Sequence, residues 1–225
     1  TTLFRSQAAF EDDRLDEARE LIDQAIAMDP TSAGPYIRRA MIAMQEGELE
    51  DAIADAANAV VHEESAMTYG LLGMFHSFAH DHAEAEAALR KSLEIDPEFA
   101  MALSELGNLR ERAKDSEEAI RFYRRAAEVG ELSDTTTSRF ARLLMRQHNN
   151  AEAEAVLRKV IAPSEPRVDS RRTLVDLLHD SDRTDEAVDL LRDAAVASDD
   201  WLAWADLGSF LITIGGEPLE AEAAL

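Results

Sequence analysis

The chain repeats itself about every 34 residues, and that period limits its fold more than any other feature. Alanines flanked by acids recur as Ala18, Ala52, Ala85, Ala119, Ala153 and Ala187, at intervals of 34, 33, 34, 34 and 34 residues. A fixed period of this size marks an array of supersecondary units, each covering the apolar face of its neighbour. Seven residues beyond each alanine stands another small or apolar residue: Ala25, Ala59, Ser92, Ala126, Val160 and Ala194. Between the two lies a larger side chain, Ile22, Leu89, Tyr123, Leu157 or Leu191, with Ala56 the exception. Spacing of i, i+4, i+7 predicts one buried helix face per copy.

A second helix is predicted ahead of each of these. Its apolar residues fall at matching offsets: Tyr36 and Ala40; Tyr69, Leu72 and Gly73; Leu103, Leu106 and Gly107; Phe140, Ala141 and Leu144; Leu174 and Leu178; Trp204, Leu207 and Gly208. Short turns divide the pairs at Glu46-Gly47-Glu48, His80-Asp81-His82, Lys114-Asp115, His148-Asn149-Asn150 and Gly215-Gly216. Asp29-Pro30 and Asp96-Pro97 close the units, since proline cannot continue a helix. Each unit is therefore a helix-turn-helix, with small residues where its two helices cross so that their backbones can approach.

These residues resemble the tetratricopeptide repeat. Trp204-Ala205-Asp206-Leu207-Gly208 reproduces the family's W-x-x-L-G segment, and Tyr69 to Gly73 gives its Y-x-x-L-G version. Ala85, Leu89, Ser92 and Pro97 follow the family's second-helix spacing to its closing proline. Ala56, small where a large residue is usual, and Val175 at a crossing place depart from the pattern. The resemblance implies an all-α, right-handed superhelical solenoid of antiparallel helix pairs, whose first helices line a concave groove that binds peptide segments. The expected organisation is a single solenoid over 1–225, with repeats at about 1–31, 32–65, 66–99, 100–133, 134–167, 168–200 and 201–225. The first repeat opens with a shortened helix at Leu3 and the seventh stops inside its second helix at Leu225. The segment thus reads as a piece of a longer protein or as a domain without its cap.

Periodicity places the groove residues beside those that pack against the second helix. They are Ile37, Met41, Met44, Met67, Met74, Phe78, Met101, Asn108, Arg112, Arg139, Arg142, Met145, Arg146 and Arg172. Six of the seven methionines fall in this set. Flexible, polarizable methionine suits a surface that must fit varied apolar side chains, although a methionine stripe at helical spacing also suits a core. Charge is segregated as well. Residues 1–65 hold five basic and 15 acidic residues, whereas Arg110 to Arg172 hold 14 and 11. Arg112, Arg139, Arg142, Arg146 and Arg172 are thus expected to form a positive island suited to carboxylates or phosphates, unless they serve as helix-pairing surface residues. The expected partner is a protein or peptide segment with an apolar and an acidic part. The family's carboxylate clamp is incomplete: Asn108 fits one place, but Ser104, Asp169 and Thr173 stand where basic or amide residues are needed. A chaperone tail ending in EEVD is not the expected ligand.

Other functions find little support. With 46 Asp plus Glu against 23 Lys plus Arg, the formal net charge is −23, so the chain lacks the positive footprint of a nucleic-acid binder. It has no cysteine, which excludes disulfides, thiolate metal sites and a cysteine nucleophile. No apolar run approaches the roughly 18 residues of a membrane span, and no basic-then-apolar leader opens the segment. A soluble protein, cytoplasmic or periplasmic, is expected. His76, His80 and His82 have ligand-like spacing, but two of them sit in a turn and His76 at a packing place. His80-Asp81 and His179-Asp180 resemble the dipeptides of HD-type phosphohydrolases, yet the repeat explains their separation. No phosphate loop, dinucleotide fingerprint or hydrolase motif occurs. The expectation is a scaffold or adaptor, with no enzyme activity, cofactor or metal. The alternatives are a self-assembly module stacking through uncovered ends into homo-oligomers, and a docking or regulatory domain of a larger enzyme.

Overall fold

Residues 15–130, 132–161, 167–198 and 201–215 are described by a computed structural model. The expected helix at Leu3 and the chain end at Leu225 lie outside these residues. Among the described residues the chain forms twelve helices: α1 (Leu15–Met28), α2 (Ala33–Glu46), α3 (Leu49–His62), α4 (Ala66–Phe78), α5 (His82–Ile95), α6 (Ala100–Arg112), α7 (Ser116–Val129), α8 (Asp134–Arg146), α9 (Asn150–Val160), α10 (Val168–Asp180), α11 (Thr184–Ser198) and α12 (Trp201–Thr213). They fall into two compact units, Thr1–Gly130 and Glu131–Leu225. The first holds α1 and the hairpins α2/α3, α4/α5 and α6/α7. The second holds α8/α9, α10/α11 and α12.

The hairpin turn is the same in every copy. Gly47 adopts the left-handed conformation at φ 80°, and His80, Lys114, His148 and Asp182 occupy the equivalent place at φ 57–65°. In each, the next residue's N–H reaches back to a carbonyl of the final helical turn: Glu48 to Ala43, Asp81 to His76, Asp115 to Arg110, Asn149 to Leu144 and Arg183 to Leu178, at 2.8–2.9 Å. This satisfies carbonyls that the helix end leaves without partners. Four of the helix starts are closed by N-cap side chains. Ser65 and Thr68 form a reciprocal capping box on α4, while Asp115, Ser133 and Asn149 accept from backbone N–H groups of α7, α8 and α9. Between units of the repeat, Asp29 and Asp96 accept from the N–H of Thr31 and Glu98, turning the chain beside each proline.

The six phase-marking alanines are fully buried. Where α5 presents Leu89 and α7 presents Tyr123, the facing residues are Gly73 and Gly107; a Cβ there would lie 2.6 Å from Leu89 Cγ or 2.5 Å from Tyr123 Cε1. Both departures from the pattern are accommodated. Phe75, fully buried, packs in one cluster with Ala40, Ala52 and Ala56, occupying space that a larger residue at 56 would claim. Val175 is buried together with Leu191. Arg39 stands where most other copies carry leucine. Its Nε and Nη2 donate to both oxygens of buried Asp55 at 2.7 Å, and its Nη1 donates to Asp23 at 2.7 Å. Paired carboxylates thus stabilise a cation at a packing position.

Candidate partner-binding faces

In each unit, first helices of neighbouring hairpins pack together: α2 with α4 and α4 with α6 in the first, α8 with α10 in the second. In the second unit the second helices meet through long side chains, with Arg158 on α9 reaching Glu186 on α11 at 3.1 Å. The first helices therefore form one continuous face per unit.

In the first unit that face is apolar. Helix α4, in its middle, has no Asp, Glu, Lys or Arg. Met41, Met67 and Phe78 are 44%, 46% and 43% exposed. Ile37, Met44, Met74 and Met101 are half-buried and pack against the cluster around Phe75. The methionine stripe is thus divided: two of these side chains stand in solvent, and three brace the layer beneath. Polar residues on α6 are engaged within the molecule. Asn108, placed on the partner-facing surface by periodicity, is buried, and its Oδ1 accepts from the Tyr123 hydroxyl at 2.7 Å. The reason is local: Gly107 lets the Tyr123 ring lie against α6, bringing its hydroxyl to the amide. Arg112 Nη1 donates to the Ser77 carbonyl at 2.9 Å and to Ser77 Oγ at 3.1 Å, closing the C-terminal end of α4.

In the second unit the face is polar. Asp134, opening α8, accepts from the backbone N–H groups of Asp169 and Ser170 at 2.8 and 3.0 Å, so its carboxylate caps the start of α10. Ser138 and Thr173 hydroxyls meet at 2.7 Å, fully buried between the two helices. Farther along, Arg142, Met145 and Arg146 on α8 line a shallow pocket with Asp176, His179 and Asp180 on α10. Desolvation in that pocket holds the Asp176 carboxyl above its ordinary range, against the pull of Arg142. Arg139 is half-buried. Arg172 lies away from this group and grips Asp206 on α12, with Nη2 to Oδ1 at 2.6 Å. The arginines of the expected positive island are engaged differently. Arg112 belongs to the first unit, Arg172 is neutralised, and Arg142 and Arg146 share their pocket with two carboxylates.

A family model described as tetratricopeptide repeat matches residues 5–67, 76–133 and 138–200. The chain is a tetratricopeptide repeat protein. It is 29% identical over 157 residues to anaphase-promoting complex subunit 3 of Schizosaccharomyces pombe, covering 68% of this chain and 23% of that protein. The chain thus spans about a quarter of the length of that relative. Among solved structures, the APC/C hetero-tetramer Cut9-Hcn1 superposes with a TM-score of 0.71 at 19% identity, over 93% of this chain and 42% of that one. PilF of Pseudomonas aeruginosa gives 0.74 at 15% identity, over 94% and 96%. These likenesses establish an all-α solenoid built of tetratricopeptide repeats.

The repeat also places two of the histidines in turns. His80 and His148 occupy the left-handed turn position, and His76 Nδ1 lies 3.3 Å from Asp81 Oδ2. Among the described residues no group of three or more His, Asp and Glu side chains is arranged to hold a metal ion, and no helix is long and apolar enough to cross a membrane. Two features escaped the periodicity, the left-handed column and the Arg39–Asp55 pair. Gly47 and Gly215 were the available signals for the first, since His80, Lys114, His148 and Asp182 share their phase.

Proposed function

We propose that this tetratricopeptide repeat protein is a non-catalytic scaffold that holds segments of partner proteins on its first-helix faces. The observation that carries this reading is the apolar face of the first unit, where Met41, Met67 and Phe78 remain more than two-fifths exposed around an uncharged helix. Solvated apolar side chains grouped in this way mark interaction surfaces. Their grouping on touching first helices gives a partner one continuous strip, and methionine adapts to its side chains. Similarity to proteins named as parts of multi-subunit complexes, anaphase-promoting complex subunit 3 and Cut9-Hcn1, supports the same reading. In the second unit, the pocket around Met145 offers arginines and carboxylates together, which suits polar contacts flanking an anchored segment.

Glu substitution at Met41, Met67 and Phe78 tests this function. Affinity capture from the source organism with wild-type and triple-variant chains, compared by mass spectrometry, is expected to lose specific partners in the variant. Helicity by circular dichroism should stay unchanged, because these side chains are only partly buried. Recovery of one and the same set of proteins by both chains would remove the face as the functional surface.

A further inference from the structure

We infer that the segment bound on the first unit's face is a basic amphipathic one: a stripe of large aliphatic or aromatic side chains carried on a chain rich in Lys and Arg. The inference rests on the proposed use of that face and adds the chemistry of its occupant. The face itself supplies anchoring without charge. Helix α4 has no Asp, Glu, Lys or Arg, and Ile37, Met41, Met44, Met67, Met74 and Phe78 present only apolar surface. The charges on its α6 border are engaged: Arg112 by the Ser77 carbonyl, and Glu111 beside the Tyr123 hydroxyl at 3.2 Å.

The field over this neutral strip therefore comes from the rest of the unit. Residues 15–130 contain 24 Asp plus Glu against 11 Lys plus Arg, a net charge of −13. Nearby cations are already taken by carboxylates. Arg39 is held by Asp55 and Asp23, and Arg19 by Glu46 and Glu48. An acidic segment on the strip would meet repulsion from this excess, and Arg112 on its border is already bonded to Ser77. A basic segment is drawn in by the whole unit, and complementarity of this kind raises association rates and rejects partners of the wrong sign. An apolar stripe then fixes its position, while its lysines and arginines remain in the acidic surroundings.

The test uses the full chain and two labelled synthetic helical peptides that share one Leu/Phe stripe at i, i+3, i+4, i+7 spacing. One carries Lys at the remaining positions, the other Glu. Binding is followed by fluorescence anisotropy at two salt concentrations. A triple variant, Met41→Ser with Met67→Ser and Phe78→Ser, removes the anchors without changing charge. A second, Met28→Ser with Val61→Ser, alters exposed side chains on second helices and serves as control. The Lys peptide is expected to bind at least about tenfold tighter than the Glu peptide, with the gap narrowing at high salt. It should lose about a hundredfold in the Met41/Met67/Phe78 variant and keep its affinity in the control. Equal or tighter binding of the Glu peptide, still dependent on the three anchors, overturns the basic partner and leaves the face intact. Binding of the Lys peptide that ignores the anchors overturns the face itself, and failure of both peptides to bind also counts against the proposed occupant.

Discussion

One backbone position per repeat decides how each hairpin closes. Gly47 adopts left-handed geometry without steric cost, whereas His80, Lys114, His148 and Asp182 adopt it with a Cβ against the following carbonyl. Lys114→Gly is expected to raise stability by about 0.5 kcal/mol, the relief of that clash less the added freedom of the unfolded chain. Gly47→Ala should lower it by about 1 kcal/mol or somewhat more. Thermal or urea melts of both variants measure the two signs, and equal shifts in one direction would contradict the account. Of the six places in this phase, only Gly47 and Gly215 show a glycine in the sequence. The histidines therefore invite a metal reading from spacing alone, while in the fold His80 and His148 are turn residues.

At the scale of the helix pair, small residues set the distance between helices and polar residues lock it. Gly107 admits the Tyr123 ring, whose hydroxyl is then held by Asn108. The ring cannot swing aside without breaking that buried hydrogen bond. Gly107→Ala is therefore expected to destabilise the chain by about 1–3 kcal/mol, an overpacking cost. Chemical denaturation measures it, and combination with Tyr123→Leu should recover part of the loss. The crossing place itself was legible: alanine or glycine stands there in Ala40, Gly73, Gly107, Ala141 and Gly208. The consequence for Asn108 was not. Its offset marks it as partner-facing, and only the depth of Tyr123 turns it into an interior acceptor.

Over the whole molecule, an excess of acid makes stability depend on which carboxylates have partners. Glu154 on α9 accepts from Arg183 at 2.8 and 3.0 Å and from Arg158 at 2.7 Å, tying successive hairpins of the second unit together. Hydrogen bonding to Arg183, then to Arg158, holds its carboxyl down to about 2 from 4.5. A group depressed on folding stabilises the native state fully above its unfolded value and loses that contribution as pH falls toward the folded one. The difference in melting temperature between wild type and Glu154→Gln should therefore be constant at neutral pH, shrink below about pH 4.5 and vanish near pH 2. Because the network faces solvent, the neutral-pH difference is expected to be under about 1 kcal/mol and to fall with salt. A difference that grows on acidification would refute the assignment.

The all-α fold, the helix pairs, the crossing places and the buried columns follow from the 34-residue phase. Helical periodicity reports which side chains leave water, and burial admits only small or apolar residues at those places. The phase also assigned Met41, Met67 and Phe78 to first helices, where they are partly exposed. It did not separate them from Met44, Met74 and Met101, which occupy neighbouring offsets but sink against the Phe75 cluster. Nor did it show that Arg112, Arg172 and Asn108 are engaged by Ser77, Asp206 and Tyr123. These partners lie 35, 34 and 15 residues away. Arginine and asparagine serve equally well in solvent or in a bond within or between hairpins. The choice between those roles depends on what the packed neighbour offers, and that is set by tertiary contact.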